Sequence, residues 1–203
     1  MNVFLQGLTM GLAYVAPIGM QNLFVINSAL TNKRKRALLT ALIVIFFDIT
    51  LSLACFFGIG TIMQRFKWLQ MVILCVGSLI VIYIGISLLR AKTQDLEKNQ
   101  PTMSIKKTIS SACVVTWFNP QAIIDGTMML GAFHVTLAAG QETPFITGVA
   151  CASLSWFIGL TFLISLISSK FNAKVMRWIN VVCGVIIIGY GIKLFVSFVQ
   201  MLL

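Results

Sequence analysis

From Met1 to Asn32 the chain carries no charged residue, yet Ala16-Pro17-Ile18-Gly19-Met20-Gln21-Asn22 stands in the middle of that apolar run. A bilayer crossing takes ~20 mainly apolar residues, so the run is long enough to span. Proline has no N–H and its ring blocks the carbonyl four residues back. The spacing therefore predicts a helix broken near Pro17. Half a chain later, Trp117-Phe118-Asn119-Pro120-Gln121-Ala122-Ile123-Ile124-Asp125 repeats the arrangement of a proline beside amides. In hydrocarbon the carbonyls freed near Ala13 and Thr116 need a partner or a wet cavity. Paired interruptions at corresponding positions of two halves are the sequence pointer to a transporter's binding site.

The composition agrees. Of 203 residues, 59% are hydrophobic and 10% charged, which places the chain among all-α integral membrane proteins. Six segments qualify as spans, at about 3–30, 37–63, 68–89, 108–137, 145–168 and 178–200. They form one transporter domain over 1–203, with no room for a separate soluble one. The first segment lacks a basic n-region and exceeds a signal-peptide core, so it reads as the first span. Cys55, Cys75, Cys113, Cys151 and Cys183 fall in apolar segments without a CxxC, and read as small core residues. Neither a metal site nor a cofactor is expected, nor an enzyme activity. The net charge of +10 lies between the spans with no basic, aromatic-interleaved surface, which argues against nucleic acid.

Basic residues fix the expected orientation. The loops after spans one, three and five hold twelve Lys and Arg: 33–36, then Arg90, Lys92, Lys98, Lys106 and Lys107, then Lys170, Lys174 and Arg177. The opposite side holds Arg65 and Lys67. Loops 31–36, 90–107 and 169–177 are thus expected in the cytoplasm of a plasma membrane, with both termini outside. The halves also resemble each other. Pro17 and Pro120 lie 103 residues apart, and Gly77 precedes Tyr83, as Gly184 precedes Tyr190, by six. Three spans per repeat make the halves point in opposite directions: a 3+3 inverted repeat, with helices 1 and 4 broken by proline. Repeat 1 covers about 1–90, a linker about 91–107, and repeat 2 about 108–203.

Asp48 sits near the middle of span two, and Asp125 lies five residues after Pro120, as Asn22 lies five after Pro17. An ionisable group at such depth costs at least ~2.5–3.5 kcal/mol and is expected to serve function. The structural alternative is a protonated carboxyl bonded to a neighbouring helix. Lys193 lies late in its span and snorkels outward, so the carboxyls call for a proton or a cationic substrate. Gln21, Asn22, Asn119 and Gln121 supply amides beside Pro17, Gly19 and Pro120. These amides either mend the breaks or, with the helix ends, bind a zwitterionic amino acid. Ser153, Ser155 and Trp156 are weaker candidates for a cavity wall. His134 reads as interfacial, and Gly7-Leu8-Thr9-Met10-Gly11 permits close helix approach.

Pro-Ile-Gly-Met-Gln-Asn, the basic loop, Asp48 and Asn119-Pro120 together resemble the LysE/ArgO-type lysine and arginine exporters over essentially the whole chain. Related exporters of neutral amino acids show Pro-Gly-Pro at the first break, where this chain has Pro17-Ile18-Gly19. The resemblance implies export of arginine or lysine from a bacterial cytoplasm, with Asp48 and Asp125 at the functional carboxylate positions. It also admits five spans or a cytoplasmic N-terminus; the charge count favours six spans. Exchange for an incoming proton by alternating access would make the cycle electroneutral and remove the ~2.3 kcal/mol that one charge meets per 100 mV. The rivals are a neutral amino-acid exporter, a divalent-cation exporter and a thiol–disulfide carrier, the last lacking a cysteine near Pro17. The assembly is open between a monomer and a homodimer.

Overall fold

Helix α1 (Val3–Val15) starts where Asn2 Oδ1 accepts the Phe4 N–H at 3.1 Å, and its last turn closes with Ala16 N–H on Leu12 O. Pro17 cannot continue that ladder. The chain runs through Ile18 and an extended Gly19 before α2 (Met20–Thr31) begins, and the two axes differ by 78°. The predicted first break is therefore a sharp bend. The computed structural model describes residues 2–58, 66–90, 103–168 and 173–202. The side chains of Pro120, Gln121, Cys183 and Tyr190, and most of the linker about 91–107, lie outside that description.

The remaining elements are α3 (Arg34–Phe56), α4 (Lys67–Arg90), α5 (Ile105–Trp117) and α6 (Pro120–Gly126). A π turn (Thr127–Gly131), α7 (Ala132–Thr136), α8 (Glu142–Ser168) and α9 (Ala173–Leu202) follow. Ser104 caps α5 by accepting the Lys107 N–H at 3.3 Å. Helix α5 ends at Trp117, and α6 restarts with Pro120 in its first turn, where a missing N–H is harmless. The expected span 108–137 is thus divided among four short pieces.

Among the described residues, three helices are long and apolar enough to cross a membrane on their own: Arg34–Phe56, Glu142–Ile167 and Gly184–Met201. The bent pair α1 and α2 brings the number to four. Large apolar side chains point outward, including Phe46, Leu79, Phe162 and Trp178, as a surface facing lipid requires.

Packing directions can be read from contacts. Helix α1 lies against α8, where Gly7 meets the Phe145 carbonyl and Gly11 meets Val149 and Ala152. A Cβ on Gly7 or Gly148 would overlap backbone of the other helix. Residue numbers rise together, so α1 and α8 run parallel. Helix α3 runs parallel to α5 and α6: Arg36 donates to Met103 O at 2.6 Å and Thr108 Oγ1 at 2.7 Å. Further along, Trp117 Nε1 donates to Thr50 Oγ1 at 3.2 Å, and Cys55 meets Ile123 O. Helices α3 and α8 run opposite, since Asp48 meets Ser153 while Phe56 stacks on Phe145. Helices α4 and α9 also run opposite, with Gly85 against Gly184 and Ile188, and Gly184 against Leu89. One core cluster, including Leu23, Val44, Val115, Phe157 and Ile187, joins α2, α3, α5, α8 and α9.

Candidate functional site

Where α1 stops and α2 restarts, a cavity of about 150 Å³ opens. Ala13, Tyr14, Val15, Pro17, Gly19, Gln21 and Asn22 form one wall, and Asn119, Ala122, Asp125 and Met129 the other. Two broken segments far apart in sequence thus share one cavity. Six of the nine residues singled out above (Pro17, Gly19, Gln21, Asn22, Asn119 and Asp125) line it.

The backbone around it has two characters. The last carbonyls of α1 and the first N–H groups of α2 have no partners within their helices. A C-terminal end favours a cation and an N-terminal end an anion. Gly19 caps α2 without a side chain, which leaves that end open to the cavity. Asn119 likewise makes no side-chain cap on α6.

Asn22 shows how the break is held. It is buried, and its Nδ2 donates to Val15 O at 3.0 Å and Pro17 O at 2.8 Å. Its Oδ1 accepts from Trp156 Nε1 at 2.7 Å. The amide therefore mends the unwound segment by serving two carbonyls just beyond Ala13, while Ala13 itself lines the cavity. The chain unwinds beyond Val15 instead of kinking at one peptide. Trp156→Phe removes the donor to Asn22 but keeps the ring. Interhelical bonds in membranes average ~0.6 kcal/mol, with a maximum near 1.7. The variant is expected to lose stability within that range on detergent unfolding, with the bend retained.

Asp48 does not line the cavity. It is fully buried behind Gln21. Gln21 Nε2 donates to Asp48 Oδ1 at 3.0 Å and to Thr116 Oγ1 at 3.1 Å. On the far side, Ser153 Oγ donates to Asp48 Oδ2. The two carboxyls are therefore placed differently: Asp125 on the wall, Asp48 one side chain deeper.

Some participants were not singled out in the sequence. Tyr14 lines the cavity and its hydroxyl donates to Ala122 O at 3.4 Å; a lone hydroxyl one turn before the break was the available signal. Sequence points to the Thr116 carbonyl, whereas its hydroxyl makes the contact with Gln21. Ser153 and Trp156 support Asp48 and Asn22 from behind, and Ser155 bonds back to Ala152 O at 3.0 Å. His134 is remote from the cavity, packed edge-on to Phe56 and Phe57 with Glu142 at 3.9 Å.

Comparison with known proteins bears on this arrangement. The sequence profile described as LysE type translocator matches residues 12–197. The arginine exporter protein ArgO of Klebsiella pneumoniae (strain 342) is 31% identical over 188 residues, covering 90% of this chain and 88% of that protein. ArgO of Salmonella schwarzengrund (strain CVM19633) is 30% identical with the same coverage. No solved structure matches the chain.

Proposed function

Because the chain belongs to the LysE type translocator family, a family of transporters and not enzymes, we propose that it exports basic L-amino acids, arginine, lysine or both, in exchange for protons. The observation that carries this is the cavity shared by both breaks, with Asp125 on its wall. An amino acid brings three charges. Its carboxylate suits the open N-terminal end of α2, and its ammonium suits the carbonyl end of α1. A side-chain cation suits Asp125, with Tyr14 beside it offering a ring face. The matched relatives are arginine exporters by name, and guanidinium meets this requirement.

The six-span, 3+3 inverted arrangement is part of the proposal. Exchanging the two halves turns the α1–α8 pair into the α5–α3 pair and returns α4–α9 to itself; all three pairs are packed. Alternating crossings require parallel α1–α8 and α3–α5 pairs and opposed α3–α8 and α4–α9 pairs, which is the observed set. Arg36, reaching Met103 and Thr108, ties together two loops expected on the cytoplasmic side. Alternating access then moves one half against the other around the cavity.

Proteoliposomes loaded with labelled arginine, under separately imposed pH and voltage gradients, test the function. Flux that follows the pH gradient and ignores voltage supports one-for-one proton exchange. Movement of a neutral amino acid or a metal, with no arginine or lysine flux, would overturn the substrate. Asp125→Ala is expected to raise KM for arginine by roughly 10–100-fold, since a bond to a charged group is worth ~1.5–3 kcal/mol. An unchanged KM would remove Asp125 from the substrate site.

A further inference from the structure

The surroundings of Asp48 carry more than its burial. One oxygen is held from the first half of the chain and the other from the second: Gln21 on α2 donates to Oδ1, and Ser153 on α8 donates to Oδ2. The two donors are not equivalent. Gln21 Nε2 is an amide that can only donate, and its other hydrogen is committed to Thr116 Oγ1. Ser153 Oγ can donate or accept, and it has a second acceptor in Val149 O at 3.5 Å.

Proton uptake leaves Gln21 as it stands on one side only. With a proton on Oδ2, the acid donates to Ser153 Oγ, the hydroxyl turns to Val149 O, and Gln21 still finds an acceptor at Oδ1. With a proton on Oδ1, two donors face each other, and Gln21 must turn its amide over so that Oε1 accepts from both Asp48 and Thr116. Gln21 also lines the cavity whereas Asp48 does not, so it stands between substrate and carboxyl.

Resting on the proton-exchange reading above, we infer that Ser153 and Gln21 are positioning residues that fix where Asp48 holds the transported proton: on Oδ2, against Ser153. Gln21 keeps Oδ1 an acceptor and closes the carboxyl off from the cavity. When Gln21 swings away, a hydronium in the cavity gives its proton to the carboxylate and is left as water. When Gln21 returns, its donor demands an acceptor, and the proton settles on Oδ2. Release to the other side reverses the sequence. Among the described residues, Tyr14 on α1 and Cys55 on its own helix lie within electrostatic range of Asp48, and Asp125 across the cavity acts on the same Tyr14. Neither Tyr14 nor Cys55 bonds to it; the bonded groups are Gln21 from α2 and Ser153 from α8.

The test compares two modes in the same proteoliposomes: arginine-for-arginine exchange at equal pH, and net arginine flux driven by a pH gradient. Ser153→Ala deprives both protonation states of their Oδ2 partner. It is expected to slow the pH-driven flux by roughly tenfold or more, with exchange and its KM little changed. Ser153→Thr, which keeps the hydroxyl, is expected to restore the driven flux. Equal loss in both modes, or no rescue by threonine, would make Ser153 a packing residue and overturn the proposal. Unimpaired driven flux in Ser153→Ala would overturn it as well. If the unmodified protein exchanges arginine but ignores the pH gradient, proton exchange itself fails and takes this proposal with it.

Discussion

Asp48→Asn is expected to bring pH-driven arginine flux in proteoliposomes down to background while the protein inserts and folds. Folding should survive because asparagine reproduces the bonds of a protonated carboxyl. Its Oδ1 accepts from Gln21, its Nδ2 donates to Ser153 Oγ, and the serine hydroxyl turns to Val149 O, already 3.5 Å away. What asparagine cannot do is change charge. A carrier that returns without its proton moves a net positive charge with each arginine, against about 2.3 kcal/mol per 100 mV. That energy corresponds to a loss of about 50-fold in the attainable arginine ratio, taking 1.36 kcal/mol per decade. Residual flux should then follow voltage, which flux through the unmodified protein is expected to ignore. Full pH-driven flux in Asp48→Asn would remove Asp48 from the coupling step.

Gly7→Leu should act on the fold instead. Helix α1 approaches α8 so closely that a Cβ at position 7 would overlap the Phe145 carbonyl, and one at Gly148 would overlap the Phe4 carbonyl. Overpacking a well-packed interior costs ~1–3 kcal/mol when side chains can yield. Here the obstacle is backbone, and the two helices must separate along their length. Tyr14 and Asn22 would move with α1, so the cavity and the bend would be lost together. Folded yield in mild detergent is expected to collapse. Gly159→Leu is the control, because nothing lies within 4 Å of that position; its yield should match the unmodified protein. Equal yields for both variants would mean that α1 and α8 do not touch as described.

Much of this site could be read from the chain, for a physical reason. Proline within an uncharged spanning run leaves few alternatives, and both prolines mark breaks that meet at one cavity. Asp125 and Asn119 follow from their distance to Pro120, and Gln21 and Asn22 from theirs to Pro17. Sequence could not separate the two carboxyls, since depth along a span does not say which side chain stands in front. Gln21 covers Asp48 because α2 sets off at 78° from α1, and no residue type encodes that angle. Nor did sequence distinguish the two amides of the first break. Asn22, one residue beyond Gln21, turns back to the unwound carbonyls, while Gln21 reaches forward to Asp48. The segment after Pro120 carried a further surprise, the π turn directly after Gly126, for which its residues gave no signal.

The parallel seam between α1 and α8 has a consequence for how the chain is made. Its two sides lie far apart in sequence: Gly7 waits for Phe145, and Asn22 for Trp156. At about 5–20 residues per second of synthesis, that delay is on the order of ten seconds. Over this interval α1 and α2 must reside in the bilayer with the glycine face of α1 bare and the Asn22 oxygen without the indole. The seam that braces the bend therefore closes only after α8 has left the ribosome, long after both of the bend's own helices are made.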